Sequence, residues 1–225
     1  MSVPLIYLIH ATPVSIAPIN EAFERLWPEA RLANLMEDSL SRDLADAGEL
    51  TPALTERFLK LATYASESGA DAILFTCSAF GDAIDRCKRA LSIPVLKPNE
   101  AMIEEALQNN GKLALLATFQ PAIASMVEEF EQHALEQGRP LKLTTHICDS
   151  AFEALRNGDQ ERHDHLIVER ASLITDSDLL CFAQFSMTHA AEQASRTSGL
   201  KVLTTPDSAV LKLRRLLQAQ GLPKR

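Results

Sequence analysis

Cys77 holds the position in this chain that points most directly to chemistry. It closes the apolar run Asp71-Ala72-Ile73-Leu74-Phe75-Thr76 and opens Ser78-Ala79-Phe80-Gly81-Asp82-Ala83, which reads as a helix start. A thiol at a helix N-terminus meets unpaired N–H groups and the positive end of the helix dipole, and both favour a thiolate. They lower a thiol pKa from its free value of about 8.5, so this placement predicts alkylation that persists below about pH 8. The same placement suits a small buried residue in a tight strand-to-helix turn, and position alone does not separate the two. Cys181, within Leu180-Cys181-Phe182, reads as packed core. Cys87 reads as a structural or surface residue in mid-helix, and Cys148 as a strand end with little claim to a site.

Positioning such a residue requires a scaffold. Short apolar runs alternate with helical stretches, the pattern of a parallel α/β sheet. Strands are predicted at Leu5–His10, Arg31–Met36, Ala72–Thr76, Val95–Leu96, Lys112–Thr118, Leu141–Ile147, Asp178–Ala183 and Leu200–Thr204. Their leucine and β-branched content suits burial on both faces. Helices are predicted at Ile16–Leu26, Pro52–Ser68, Ala101–Asn109, Ala122–Glu136, Asp159–Thr175 and Ser208–Gln220. Gly69, Gly111, Gly138 and Gly199 stand just before strands, where helix C-caps are expected.

The chain also repeats itself. Shifted by 107 positions, Asp71–Leu96 lies on Asp178–Leu203 without a gap, and six of 26 positions are identical. These are Asp71/Asp178, Phe75/Phe182, Ala83/Ala190, Arg89/Arg196, Val95/Val202 and Leu96/Leu203. Pro13 and Glu21 fall on Pro121 and Glu129, and Asp38-Ser39 on Asp149-Ser150, at nearby offsets in the same order. The expected fold is therefore two similar α/β lobes, parallel sheets flanked by helices, related by a pseudo-two-fold duplication. Residues 1–97 with 205–225 are expected to form the first lobe and 98–204 the second. Ligands bind beyond the carboxyl ends of parallel strands, so a cleft between the lobes would receive one loop from each. In that cleft Cys77 faces its repeat partner Gln184.

A carboxylate, or the enediolate formed from it, needs donors where negative charge sits. Backbone N–H groups of Ser78, Ala79, Phe185 and Ser186 open the two matched helices. The hydroxyls of Thr12, Ser39, Thr76, Ser78, Thr118 and Ser186 lie at strand ends or in the loops that follow. Each alone reads as a cap or turn residue; their concentration at strand ends of both repeats makes them candidate substrate ligands. Phe80, Phe119, Phe185 and Met187 read either as a pocket for an apolar substituent or as core.

Composition narrows the partners. The 225 residues suit one large domain or two small ones, and 46% are hydrophobic, which excludes bulk disorder. A net charge of −8 argues against a nucleic-acid surface. No apolar run approaches the roughly 18–20 residues of a membrane span, so no membrane partner is expected. The start, Met1 to His10, reads as a first strand and not as a signal peptide. Four scattered cysteines without a CxxC pair suit reduced thiols in the cytoplasm. No dinucleotide, P-loop or GxSxG motif occurs, and no metal site is expected: His163 and His165 stand two apart and do not share a helix face. Arg42, Arg57, Lys60, Arg86 and Arg89 read as solvated helix faces.

The Thr76-Cys77-Ser78 segment, the two-lobed repeat and the Gln184 loop resemble the aspartate/glutamate/hydantoin racemase superfamily, which also contains arylmalonate decarboxylase and maleate isomerase. The resemblance implies a cofactor-independent enzyme acting on a small carboxylate. It further implies a cysteine from each lobe flanking the substrate α-carbon, one removing the α-proton and the other reprotonating the opposite face. Dimers are common in that family, so a homodimer is one assembly it implies. This chain departs from the pattern at three places. The second cysteine position holds Gln184. The acidic residue that glutamate racemases carry after the first strand is replaced by His10-Ala11-Thr12-Pro13. Ser186 stands where they place a histidine. The decarboxylase also uses one cysteine, but in the other lobe.

Gln184 has no titratable proton near neutral pH and cannot be a second base. His10 and His189 are the candidate second acids. The expected function is a racemase-like isomerase using Cys77 beside a carboxylate. The alternatives are a one-cysteine decarboxylase or isomerase of a small dicarboxylic acid, and a catalytically degenerate carboxylate-binding module.

Overall fold

The computed structural model describes residues 3–219 and 221. Met1 and Ser2 of the predicted opening segment, Gln220 at the predicted end of the last helix, and residues 222–225 of the first expected lobe lie outside them. The chain divides into two compact units, Met1–Ala101 with Ala209–Arg225, and Met102–Ser208.

The first unit holds β1 (Leu5–His10), α1 (Ile16–Leu26), β2 (Arg31–Met36), α2 (Ser39–Ala47), α3 (Pro52–Glu67), β3 (Ala72–Phe75), α4 (Gly81–Ala90) and β4 (Val95–Leu96). After α5 (Glu100–Leu107) the second unit runs through β5 (Leu113–Ala117), α6 (Gln120–Glu136), β6 (Leu143–Ile147), α7 (Asp149–Arg156), α8 (Gln160–Ser172), β7 (Leu179–Phe182), α9 (Ala191–Ser198) and β8 (Lys201–Thr204). The last helix is α10 (Thr205–Ala219), and the divisions between units fall within α5 and α10.

Each unit is a four-stranded parallel sheet, ordered β2-β1-β3-β4 and β6-β5-β7-β8. The two orders are the same, as a duplicated unit requires. The matched stretch Asp71–Leu96 and Asp178–Leu203 delivers β3 onto β7 and β4 onto β8. Where the order turns back, between β1 and β3 and between β5 and β7, the carboxyl ends of neighbouring strands diverge into the crevice where α/β sheets bind ligands.

The duplication extends to side-chain detail. Asp71 and Leu5 exchange two hydrogen bonds: Asp71 N to Leu5 O and Leu5 N to Asp71 Oδ2, each 2.8 Å. Asp178 and Lys112 do the same at 2.8 and 2.7 Å. A carboxylate accepting a backbone N–H at a strand start pins the register of the two central strands. Gly111 sits against this clasp, and a Cβ there would run into the Asp178 carboxylate.

Burial departs from the expectation that all strands are covered on both faces. β1, β3, β5 and β7 are deeply buried, whereas β2 and β6 are sheet edges with half-exposed or exposed residues throughout. The opposite edges behave differently, with β4 buried and β8 buried over its last two residues, so edge position alone does not set the exposure. Helix α10 starts at Thr205, three residues before the predicted Ser208. Cys87 is fully buried in the core of the first unit and not at the surface.

Asp71→Ala removes a carboxylate that satisfies the Leu5 N–H. We predict a loss of about 1.5–3 kcal/mol of unfolding free energy in urea, while Asp71→Asn retains part of it. An unchanged midpoint for Asp71→Ala would contradict the clasp.

Candidate active site

Cys77 follows β3 and N-caps a short 3-10 turn, Ser78–Phe80, with extended backbone (φ −123°, ψ 120°). Gln184 follows β7 and N-caps the turn Phe185–Ala190 with nearly the same geometry (φ −128°, ψ 149°). Each loop is held from both sides by apolar anchors at matching positions. In the first unit Phe75 and Phe80 both pack on Phe58 of α3, with ring centroids 5.3 and 4.4 Å away. In the second, Phe182 and Met187 are fully buried in one cluster. Phe80 and Met187 are therefore core residues and line no pocket. Phe185 is half-buried, and Phe119 is 43% exposed and packs at a tilt on Phe152, ring centroids 5.0 Å apart.

The crevice between β1 and β3 is spanned by side chains. His10 ends β1, is fully buried, and brings Nδ1 to Thr76 Oγ1 at 2.8 Å and Ser15 Oγ at 3.1 Å, and Nε2 to Asn34 Oδ1 at 2.9 Å. Burial pushes the imidazole pKa down, partly offset by the Asn34 hydrogen bond. Thr12 is half-buried beside this group, and its carbonyl lies 3.2 Å from Ser15 Oγ. The crevice between β5 and β7 is spanned in turn by the Thr118 N–H, which donates to Gln184 Oε1 at 3.1 Å. A backbone N–H only donates, so this contact fixes the orientation of the amide. Gln184 Nε2 is buried with no partner among the described residues. A buried donor without an acceptor is costly.

The remaining predicted residues divide. Ser78 and Ala79 are exposed on the turn after Cys77, and Ser186 is half-buried on the turn after Gln184. The Thr118 side chain is buried after β5. His189 is exposed on the Gln184 turn and lines a surface pocket of about 620 Å³ with His165, Asp159 and Asp164. Ser39 opens α2, and its hydroxyl is committed elsewhere: it donates to Glu37 Oε1 at 2.6 Å and accepts from Arg57 Nη2 at 2.6 Å. Arg57 is thus no free solvated face. It also pairs with Glu37 and with Asp43, whose carboxyl its hydrogen bond holds below the usual carboxylate range.

The sequence reading missed Ser15, Asn34 and Arg57 in these networks. Asn34 gave one usable sign, a polar residue interrupting the strand Arg31-Leu32-Ala33-Asn34-Leu35-Met36.

The thiol departs from expectation. The α-helix starts only at Gly81, so Cys77 faces a single 3-10 turn in place of a helix dipole. Burial pushes the Cys77 pKa up, and the Ala79 backbone N–H offsets this only in part. Burial also raises Cys87 to about 11 and Cys181 to about 12.

Residues 16–213 match the sequence profile of Asp/Glu/Hydantoin racemases. The chain belongs to that family. No curated protein sequence matches it. Among solved structures, an aspartate racemase homologue from Pyrococcus horikoshii is similar with a TM-score of 0.72 at 14% identity, covering 95% of this chain and 98% of that one. Glutamate racemase from Bacillus anthracis gives 0.69 at 16%, covering 97% and 83%. Unliganded arylmalonate decarboxylase gives 0.65 at 17%, covering 98% and 94%. At these identities the likeness speaks for the fold. Among the described residues of this racemase-family chain, no helix is long and apolar enough to cross a membrane.

A raised thiol pKa makes the thiolate scarcer at every pH below it. In the ligand-free protein, iodoacetamide alkylation of Cys77 is therefore expected to rise with a midpoint above the free-thiol value of about 8.5. Mass-spectrometric labelling against pH checks this, and a midpoint below about 8 would contradict it.

Proposed function

We propose that this protein is a cofactor-independent, racemase-like enzyme that uses Cys77 to move a proton at the carbon beside a small carboxylate. In this reading the cleft receives Cys77 from one unit and Gln184 from the other. The observation that carries it is the equivalence of the two residues. Both cap the turn after the third strand of their sheet, and only one of them has a transferable proton. The Gln184 Nε2 donors, locked in place by Thr118, would hold the carboxylate and the enediolate that develops from it. The N–H groups of Ser78, Ala79, Phe185 and Ser186 would add donors at the same strand ends. Family membership supports the reaction class.

In the racemase reading, the Cys77 thiolate takes the α-proton, leaving an enediolate, and a proton returns to carbon. Return from Cys77 itself retains configuration. Inversion needs a second acid. His189 is exposed on the Gln184 turn and so within reach of solvent, whereas His10 is fully buried.

A second reading, decarboxylation of a malonate-type acid, is favoured by the protonation state of the thiol. Burial shifts Cys77 toward the protonated thiol, the form that donates. Loss of CO2 would leave the enediolate, the thiol would protonate it, and the thiolate would recover its proton from water.

Incubation with candidate carboxylates in D2O separates the readings. Racemisation places deuterium at the α-carbon of both enantiomers, whereas decarboxylation releases CO2 and labels the product. Cys77→Ser should abolish either activity, and Gln184→Leu should raise KM about 10–100-fold, the scale of a lost hydrogen bond to a charged group. Turnover by neither wild type nor variant, with carboxylate-induced thermal stabilisation surviving Cys77→Ser, would leave a binding module in place of an enzyme.

A further inference from the structure

His10 has both ring nitrogens in hydrogen-bond contact, and the proposed Cys77 chemistry does not use it directly. Four pieces of the chain converge on its ring or on its hydroxyl partners. These are the end of β1, Asn34 of β2, Thr76 after β3, and Ser15 in the turn after β1. The Ser15 and Thr76 hydroxyls lie 2.8 Å apart, and they reach the carbonyls of Thr12 at 3.2 Å and Ile9 at 3.4 Å. The Thr76 N–H donates to Ile9 O at 3.1 Å, so Thr76 is tied to β1 by backbone and side chain alike.

A neutral imidazole carries one donor and one acceptor. With Nε2–H donating to Asn34 Oδ1, Nδ1 accepts from the Thr76 hydroxyl, whose oxygen accepts from Ser15. In this arrangement the Ser15 and Thr76 protons both stay within the chain of four, and the longer contacts to the Thr12 and Ile9 carbonyls receive neither. No carboxylate is among the ring's hydrogen-bond partners, and the ring is fully buried. Such a ring has no nitrogen left to trade a proton with a substrate. What it can do is hold Thr76, and Cys77 is the next residue.

We propose that His10 is a positioning residue for Cys77: acting through the Thr76 hydroxyl, it fixes the strand end from which the thiol emerges. The proposal rests on the reading of Cys77 as the reacting group. It turns the histidine at this strand end from a candidate acid into a support.

Two substitutions divide the ring's functions. An asparagine amide reaches about as far as Nδ1, and a glutamine amide about as far as Nε2. His10→Asn thus keeps the link to Thr76 and Ser15, and His10→Gln keeps the link to Asn34 and loses the link to Thr76. Thr76→Val deletes the hydroxyl, and Thr76→Ser restores it. The readout is the pH–rate profile of Cys77 alkylation by iodoacetamide, followed by mass spectrometry, which reports on the thiol without any substrate.

His10→Asn and Thr76→Ser are expected to retain most of the wild-type rate and its midpoint. His10→Gln and Thr76→Val are expected to change the rate about tenfold or displace the midpoint, the scale of one lost hydrogen bond. Wild-type profiles in both His10→Gln and Thr76→Val would overturn the proposal, as would equal effects of His10→Asn and His10→Gln. If His10→Gln fails to fold, judged by its circular-dichroism melt, the Thr76→Val and Thr76→Ser pair decides alone. Turnover retained by Cys77→Ser would instead remove the reading of Cys77, an outcome distinct from any alkylation result.

Discussion

In a parallel sheet the crevice at the turn-back point opens because neighbouring strands send their following segments to opposite faces. Left alone, the two strand ends there are free to splay. In this protein each crevice is bridged just beyond the last paired residues of its central strands: His10 to Thr76, one residue past Ile9 and Phe75, and Thr118 to Gln184, two residues past Leu116 and Phe182. Cys77 and Gln184 inherit their positions from these bridges. The apolar anchors behind each loop, Phe75 and Phe80 on one side and Phe182 and Met187 on the other, supply the second constraint. A loop fixed by hydrogen bonds in front and by packed apolar side chains behind has few alternative conformations, and a reacting group gains from being held near its working geometry.

The two bridges are built differently, and the difference suits two tasks. The first is made wholly of side chains and ends on a threonine, leaving the next residue, a thiol, at the turn. The second consumes the carbonyl of an amide and leaves its N–H donors unsatisfied. On the proposed reading, one crevice offers the thiol that moves a proton, and the other the amide donors that hold the anion. At the 107-residue offset His10 and Thr76 match Ala117 and Ala183, and Ala11 and Cys77 match Thr118 and Gln184, so the two crevices have diverged at each of these positions.

Much of the scaffold was legible in the chain. The strand segments Leu5–His10, Arg31–Met36 and Val95–Leu96 read off directly because apolar runs end at polar or glycine punctuation. The repeat at 107 positions carried further than its six identities suggested, since Asp71 and Asp178 turn out to make the same pair of hydrogen bonds. The site was less legible. His10, Ser15, Asn34 and Thr76 are scattered through the sequence, and only pairing of strands brings their side chains together. Arg57 looked like a surface arginine because nothing local announces that Glu37 and Asp43 fold back onto it. The thiol pKa went the other way because helix-end reasoning weighs a dipole and ignores burial, and the turn after Cys77 is a single 3-10 turn with little dipole to offer.

The account stands or falls on whether the proton-holding and anion-holding crevices serve one ligand. A crystal structure of the protein soaked with a small dicarboxylate such as malonate tests this most directly. The account predicts one carboxylate within hydrogen-bonding distance of Gln184 Nε2 and the adjacent carbon facing the Cys77 sulfur. A ligand seated on Gln184 with the Cys77 sulfur turned away into the core, or one bound at neither residue, would contradict it.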